Sequence, residues 1–233
     1  MSKTEDILSP PQRELEPYPA KYITLVTGDK MVVRQAERDE LPLLLDVIYP
    51  LIRVDFDYYD LVGVRTYAEI LAILHDRTVE QFVLLGIVNG ELVGLVNSRQ
   101  YSPTIGMSLH TMAFKRGLRV GAHLFAAKME HHFRLGSKEV LIVAESPIGF
   151  KRWMEELRLE EKADIPHEHG GVPSWVLTRK NFEEYVLPER VFGERPVPED
   201  LLKSSFPLRP PKDVVDQITR GKMTLDDIKI PRW

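Results

Sequence analysis

The stretch FKRGLRVGAHLF, residues 114–125, joins a predicted strand to a predicted helix and gives the strongest indication of fold and function. It places two glycines and three cationic side chains directly before an apolar pattern with helical spacing: Gly117, Gly121, Lys115, Arg116 and Arg119. The first amides of a helix have no intrahelical acceptor, and the peptide dipoles add partial positive charge there. Because glycine lets the backbone approach a ligand closely, the stretch favours a site for phosphate or pyrophosphate. The alternative is a plain turn with solvated charges.

The composition is that of an ordinary globular protein of one or two domains. The chain has 233 residues, of which 43% are hydrophobic, and a formal net charge of -4, which gives no reason to expect a nucleic-acid partner. It has no cysteine, so disulfides, thiolate metal sites and cysteine nucleophiles are excluded. No apolar run approaches the ~20 residues of a membrane helix, and the N-terminus is charged where a signal peptide is apolar. We therefore predict a soluble, cytoplasmic protein without a membrane partner.

Proline is concentrated at both ends of the chain, because eleven of its seventeen prolines lie in residues 1–30 and 187–233. Proline removes a hydrogen-bond donor and fixes the backbone, so such ends resist regular structure. We predict an N-terminal arm at 1–30, one folded domain at 31–186 and a proline-rich C-terminal arm at 187–233. The C-terminal arm also carries many apolar residues, so we expect it to pack on its own domain or on a partner. Either a homo-oligomer or a larger complex would then form through it.

The region 31–186 alternates between strand and helix patterns. KMVVRQA reads as a strand, RDELPLLLDVIYPLI and TYAEILAILHD as helices, and Asn89-Gly90 as the turn of a hairpin. Asp39 is the predicted N-cap of the first helix, with Pro42 in its first turn. A further strand at 105–114, a helix at 121–136, a strand at 139–145, a helix at 149–159 and a strand at 174–179 follow. The predicted order is β-α-α-β-β-β-α-β-α-β, a mixed α/β fold.

RGLRVGAHL resembles the pyrophosphate loop of the GNAT superfamily of acyl-CoA acyltransferases, whose pattern is Gln/Arg-x-x-Gly-x-Gly/Ala. Arg116 and Gly121 match its first and last positions, and Arg119 stands where the family usually has glycine. VVRQAERDELPLLL, VNGELVGLVNSRQ and SWVLTRKNF resemble the first strand and helix, the second and third strands, and the last strand of that fold. The resemblance covers about 31–186 and implies a mixed sheet whose fourth and fifth strands splay apart. A Rossmann dinucleotide site is disfavoured, since Gly-x-Gly-x-x-Gly is absent.

The resemblance implies acetyl-CoA or another acyl-CoA as co-substrate, and no metal. Loop amides would bind the pyrophosphate, the splay would admit the pantetheine arm, and amides of the fourth strand would hold the oxyanion. The residues that it places at the donor are Leu109, Thr111 and Met112 on the strand and Arg116, Gly117, Leu118, Arg119, Val120, Gly121 and Ala122 in the loop.

The usual GNAT acid is a tyrosine in Asn-x-x-Ala-x-x-x-Tyr, and Trp153 stands at that position here, with Ser146 at the asparagine. An indole N–H cannot usefully protonate a leaving thiolate. His110 is the first candidate for a general base, because it lies on the fourth strand and its ordinary pKa suits neutral pH. Glu145 could act through water, and Ser146 or Tyr101 could donate a proton. Each has an ordinary alternative in packing, solvation or turn formation.

The run RVDFDYYDLVG, residues 53–63, lies between the first two helices, where GNAT enzymes build the acceptor site. Its acids and tyrosines could hold a cationic amine by charge and cation–π contact: Asp55, Asp57, Asp60, Tyr58 and Tyr59. The alternative is a capped connection with packed tyrosines.

Two histidine pairs, His131 with His132 and His167 with His169, invite a metal interpretation. No third ligand follows either pair at metal-site spacing, so we predict no metal.

The sequence thus favours an N-acyltransferase, most simply an N-acetyltransferase that moves an acetyl group from acetyl-CoA to a small-molecule or protein amine. The alternative, motivated by Trp153 and the apolar C-terminal arm, is a catalytically inactive GNAT-fold subunit that binds acyl-CoA or serves an assembly. A third, weaker interpretation is a remodelled pocket for a different acyl chain or donor.

Overall fold

The computed structural model describes residues 14–143, 145–146, 149, 159–161, 174–186 and 193–219. Within these residues eight strands form one sheet in the order β1-β2-β3-β4-β5-β6-β8-β7. All neighbours are antiparallel except β5 and β6, which are parallel. The strands are β1 Lys21–Thr24, β2 Lys30–Gln35, β3 Gln81–Val88, β4 Glu91–Ser102, β5 Ile105–Ala113, β6 Glu139–Ile142, β7 Glu160–Glu161 and β8 Trp175–Thr178.

Helices cover both faces of this sheet. They are α1 Leu41–Ile48, α2 Tyr59–Leu74, α3 Val120–Arg134, α4 Arg179–Asn181, α5 Glu199–Lys203 and α6 Val214–Thr219, and 3-10 turns occupy Arg38–Glu40, Tyr49–Arg53 and Phe56–Tyr58. None of the helices in the described part of the chain is long and apolar enough to cross a bilayer.

Two apolar layers separate the helices from the sheet. On one face, α1 and α2 pack through Leu44, Ile48 and Ile70 against strand residues such as Leu85 and Met112. On the other face, α3 packs through Leu124 against β3 and β4 and through Phe125 and Met129 against β6 and β8. The result is a three-layer α/β/α sandwich, in which the strands between the helices are buried on both sides.

The predicted mixed α/β fold is confirmed, including the hairpin at Asn89-Gly90, where both residues have positive φ as a type I′ turn requires. Asp39 as the N-cap of the first helix is wrong. A 3-10 turn precedes α1, and Glu37 caps that turn in a reciprocal pair with Glu40.

Three other boundaries differ from the predictions or cannot be compared with them. The helix α2 begins at Tyr59, seven residues before the predicted start, and the missed segment YDLVGVR contains a glycine and two valines, which have low helix propensity. The strand β1 lies inside the predicted N-terminal arm and was missed. The predicted helix at 149–159 falls almost entirely outside the described residues.

Residues 193–219 of the C-terminal arm contact the sheet at the edge strand β1, through Glu194, and at the turn of the β3–β4 hairpin. Arg209 donates its backbone N–H to Gly90 O at 2.9 Å and accepts from Leu92 N–H at 2.9 Å. Leu208 and Ile218 are buried in the apolar layer under α1 and α2. This part of the arm therefore contributes to the core of its own chain, whereas the domain boundaries and any oligomer stay predictions.

A buried guanidinium fastens the same arm to β2. Arg34, 4% exposed, donates to Glu40 Oε2 at 2.7 Å, to Ser205 Oγ at 3.1 Å and to Ser205 O at 3.0 Å. Its guanidinium carbon also lies 3.7 Å from the ring centroid of Phe206. The charge is paired on one side by a carboxylate and covered on the other by the arm, as a buried charge must be.

Glu130 on α3 joins both arms to the helix. Its carboxylate accepts from the Tyr18 hydroxyl at 2.7 Å, from Lys21 Nζ at 2.8 Å and from Arg195 at 2.9 Å. Burial acts to raise the pKa of Glu130, but the hydrogen bonds and charges of these partners outweigh it and lower the pKa to about 2. Tyr18, Lys21 and Arg195, which are far apart in the sequence, are therefore all anchored to α3.

Replacing Arg34 by methionine tests the arm contact. The substitution leaves Glu40 buried without its cation, so we expect the free energy of unfolding to fall by about 3–5 kcal/mol in urea titrations. The matched control is Arg38→Met, which breaks the exposed Arg38–Asp76 pair, and we expect a much smaller loss of stability because solvent screens this pair. Equal effects of the two substitutions would contradict the role given to Arg34.

Candidate active site

A gap opens in the sheet between β5 and β6. The two strands pair only from Ile105 to Met107 on β5 and from Glu139 to Leu141 on β6. β5 nevertheless continues to Ala113, so its second half diverges from β6. The splay predicted between the fourth and fifth strands of the core is confirmed, and within the described residues the second half of β5 is not paired with β6.

An imidazole–carboxylate pair bridges this gap. His110, on the diverging half of β5, lies with Nδ1 2.6 Å from Glu145 Oε2, just beyond the end of β6. Its Nε2 lies 3.2 Å from Glu69 Oε1 on α2. Arg65, one turn before Glu69 on α2, donates to the other oxygen of Glu145. Asn97 on β4 likewise donates to Glu69. Two predicted residues, His110 and Glu145, are therefore in direct contact.

The two carboxylates set the charge of His110. Complete burial acts to lower the pKa of the imidazole, but the hydrogen bonds and negative charges of Glu145 and Glu69 outweigh it and raise the pKa to about 9. At neutral pH His110 is therefore an imidazolium between two acids. The prediction that its pKa would suit base catalysis near neutrality is corrected accordingly, since the free base forms only at higher pH.

The pairing of β5 with β4 is irregular next to His110, whose side chain contacts Glu145. Val96 pairs with Thr111 and Ser98 pairs with Ser108, so three residues of β5 span the same length as two of β4. This is a β-bulge, which re-aims a side chain and frees a backbone group. The His110 N–H donates to Asn97 Oδ1 at 3.1 Å instead of joining the ladder.

Lys128 lies beneath the bulge on the opposite side of the sheet. This α3 lysine is 1% exposed, and its Nζ donates to His110 O at 3.0 Å and to Thr111 Oγ1 at 3.2 Å. Burial lowers the pKa of Lys128 to about 7, although the negative charges of Glu145 and Glu69 act in the opposite direction.

The loop between β5 and α3 has the backbone shape of an anion site. Arg119 precedes α3 with φ 58°, Gly117 has φ 81°, and no side chain caps the first amides of the helix. A Cβ atom placed on Gly117 would have no protein atom within 4 Å, and one placed on Gly121 would have its nearest neighbour, Ala113 Cβ, at 3.6 Å. The loop is therefore open on its outer side, and its amides point as helix N-termini point toward anions.

The segment before α2, which contains Asp55 and Asp57, contacts this loop through Arg116. Asp57 Oδ2 lies 3.2 Å from Arg116, whose guanidinium carbon is 5.5 Å from the ring centroid of Phe56 and 5.2 Å from that of Tyr59. The Tyr59 hydroxyl donates to Ala113 O at 2.7 Å. Asp55 and Tyr58 are exposed. The segment predicted for the acceptor thus lies beside the donor loop, and its role with an acceptor stays a prediction.

The remaining candidates lie apart from the bridge or serve the local backbone. Tyr101 lies near the end of β4 and is 48% exposed, whereas His110 is buried. Ser146 follows Glu145, but its hydroxyl accepts from Gly149 N–H at 3.0 Å, as a turn-forming serine does. Trp153 lies outside the described residues.

The histidine pairs do not form a metal site in the part of the chain that the structure describes. His132 is buried between Ser98 and Gln100, with Nε2 2.5 Å from Ser98 Oγ and Nδ1 3.1 Å from Gln100 Oε1. His131 packs edge-on against the rings of Tyr18 and Phe82. His167 and His169 lie outside the described residues.

Four residues of the site were missed by the sequence analysis. Arg65 and Glu69 are four residues apart on α2, so their shared helix face was a readable signal. Lys128 follows Leu124 by four residues on the inward face of α3, where a cation is out of place. Asn97 carried no such signal, because its partner comes from a distant element.

Solved structures supply the comparison with known proteins. The GNAT domain of S. lividans PAT is 12% identical, with a TM-score of 0.53 over 71% of this chain and 99% of that domain. An uncharacterized protein from Bacillus halodurans is 12% identical, with a TM-score of 0.52 over 74% of this chain and 96% of its own. No family model matches the sequence, and no curated protein matches it.

At this identity the likeness establishes the fold and nothing finer. The order of elements along the core, the splay between its fourth and fifth strands and the helix that follows the loop were expected from the sequence resemblance. The chain therefore has the fold of the GNAT acetyltransferases.

Proposed function

We propose that the chain is an N-acyltransferase, most simply an N-acetyltransferase, that moves an acetyl group from acetyl-CoA directly to an amine. The observation that carries this proposal is the contact between His110 and Glu145 across the gap between β5 and β6. A buried titratable pair whose histidine lies on the strand that leads into an open helix N-terminus supports this proposal, because perturbed titratable groups cluster at catalytic sites and helix N-termini bind phosphates.

The donor half of the site is the loop before α3. Its amides from Arg116 to Ala122 bind the pyrophosphate, with the Arg116 and Arg119 side chains supplying charge. The pantetheine arm enters the gap, which brings the thioester to the diverging half of β5. Backbone N–H groups there receive the carbonyl oxygen as it becomes an oxyanion.

The acceptor half is the carboxylate-rich side of the bridge. Glu69 and Glu145 attract a protonated amine, which must lose a proton before its nitrogen can attack. The nitrogen then bonds to the thioester carbonyl carbon, and the carbon–sulfur bond breaks. His110 in its free-base form takes the proton that the ammonium loses before attack, and the second proton on nitrogen passes to solvent as the amide forms. Because Trp153 replaces the usual tyrosine, solvent protonates the departing thiolate.

Arg116 gives a test of the donor site, because its guanidinium is shared with a carboxylate. Asp57→Asn removes the charge that competes with pyrophosphate, so we expect coenzyme A to bind about threefold to tenfold more tightly in calorimetric titrations, whereas Arg116→Gln weakens binding by about tenfold. Asp76→Asn, which frees the exposed Arg38, is the matched control and leaves the affinity unchanged. Weaker binding by Asp57→Asn, or unchanged binding by Arg116→Gln, would count against the donor site.

Turnover tests the reaction itself. With acetyl-CoA and a panel of small amines and amine-bearing peptides, we expect thiol release whose kcat/KM rises with pH through about 9, as His110 loses its proton. His110→Gln lowers the rate by about 100-fold, whereas His75→Gln, at an exposed position, leaves it unchanged. Glu145→Gln removes one cause of the raised pKa of His110, so the rise in kcat/KM moves to lower pH.

The alternative is an inactive subunit with the same fold, which the tryptophan at position 153 favours. Binding of coenzyme A without thiol release for any amine would select this alternative. A third outcome, release only from longer acyl-CoA donors, would change the acyl group and keep the reaction.

A further inference from the structure

Lys128 carries a fully buried amino group that the proposed reaction does not use. It lies on the α3 side of the sheet, and its two hydrogen bonds go to a carbonyl and a hydroxyl rather than to a carboxylate. Burying an ammonium without direct contact to an anion costs several kcal/mol. A methionine or leucine would fill the same inward position of α3 at no such cost, so the charge calls for a role beyond packing.

The carbonyl that Lys128 holds belongs to a peptide in the diverging half of β5. His110 C=O and Thr111 N–H are the two polar groups of one planar peptide, and they point in opposite directions. A contact that fixes the orientation of the His110 carbonyl therefore also fixes the orientation of the Thr111 N–H. A donor at the carbonyl oxygen also polarises the amide and makes its N–H a stronger hydrogen-bond donor.

The strand pairing indicates where the Thr111 N–H points. Phe114 N–H donates to Val93 O on β4 at 2.9 Å, and the register of β4 with Thr111, Met112 and Ala113 is continuous. Because successive amides of a strand alternate between its two sides, the Thr111 N–H points away from β4, toward the gap. Ala113 C=O points the same way and accepts the Tyr59 hydroxyl. His110 N–H, by contrast, is engaged by Asn97.

We propose that Lys128 is a positioning residue that anchors and polarises the peptide between His110 and Thr111, so that the Thr111 N–H receives the thioester carbonyl oxygen. This inference rests on the proposed function and adds to it the specific donor and the group that acts behind it. The Lys128 amino group donates to the His110 carbonyl in either protonation state, so it stabilises the oxyanion through one peptide unit while itself remaining out of contact with substrate. Loss of one oxyanion donor costs about 10²–10³ in kcat, and we expect loss of the group behind it to cost about tenfold or more.

Isotope-edited infrared spectroscopy of carbonyl-labelled acetyl-CoA, bound without an amine, tests this directly. In the wild type we expect the thioester carbonyl band below its frequency in free acetyl-CoA, because a strong donor weakens the carbonyl bond. In Lys128→Met we expect the band to return most of the way to the free value. Coenzyme A affinity should stay within about threefold, since coenzyme A has no thioester carbonyl, and kcat should fall by about tenfold or more.

Lys21→Met is the matched control, because Lys21 is also fully buried but pairs with Glu130, remote from the gap. It should lower stability without moving the carbonyl band. A lower kcat in Lys128→Met with the band unmoved would reduce Lys128 to a structural residue and overturn the inference. Absence of acetyl-CoA binding by the wild type would instead overturn the proposed function, and this inference with it.

A second measurement needs no methionine variant, should Lys128→Met fail to fold. In wild-type protein labelled with ¹⁵N-threonine, the Thr111 amide proton should move downfield with acetyl-CoA but not with coenzyme A, since only the former carries the carbonyl. Lys128→Arg, which keeps the cation, should retain part of this shift. Identical spectra of Thr111 with the two ligands would exclude it as the donor and refute the inference.

Discussion

The parallel pairing of β5 and β6 stops after three residue pairs, and every feature of the candidate site depends on the space beyond that point. If β5 and β6 stayed paired along their whole length, their backbone groups would hydrogen-bond to each other and leave no donors for a ligand. Their divergence is stabilised by side chains instead, since His110 and Glu145 meet across the opening. A polar bridge of this kind can open to a ligand, which a continuous ladder of backbone hydrogen bonds cannot do without unfolding.

The charges in the gap balance one another. Arg65 and His110 are cationic, Glu69 and Glu145 are anionic, and each carboxylate contacts at least one donor. Such a cluster is stable only while it is complete, because a buried charge that loses its partner bears the full cost of desolvation. A protonated amine that enters on the carboxylate side can replace a cation of the cluster at small electrostatic cost. The same balance keeps His110 protonated until the pH is well above neutrality.

The two ends of the chain pack against the elements that carry the candidate site. Arg34 and Arg209 attach the C-terminal arm to β2 and to the β3–β4 hairpin, and Glu130 attaches both arms to α3. Because α3 begins at the open loop and carries Lys128 in its third turn, the arms help to position the helix at which we propose the donor binds.

The local parts of the fold could be predicted from the sequence, since their signals lie within a few residues. Asn89-Gly90 fixes a hairpin, and the run from Phe114 to Phe125 fixes a strand, an open loop and a helix. His110 and Glu145 were each predicted as candidates, but their contact was not, because it depends on how far β5 and β6 diverge. Arg65, Glu69 and Lys128 had signals in their helix positions, but their partners could not be predicted, because each contact joins residues at least thirteen positions apart. Asn97 needed the tertiary structure altogether.

A crystal structure with bound coenzyme A tests the central claim most directly. The account predicts the pyrophosphate on the amides of residues 116–122 and the sulfur in the gap, between the diverging half of β5 and the end of β6 near Glu145. Coenzyme A bound elsewhere on the protein, with the bridge between His110 and Glu145 closed and the gap empty of ligand, would contradict it.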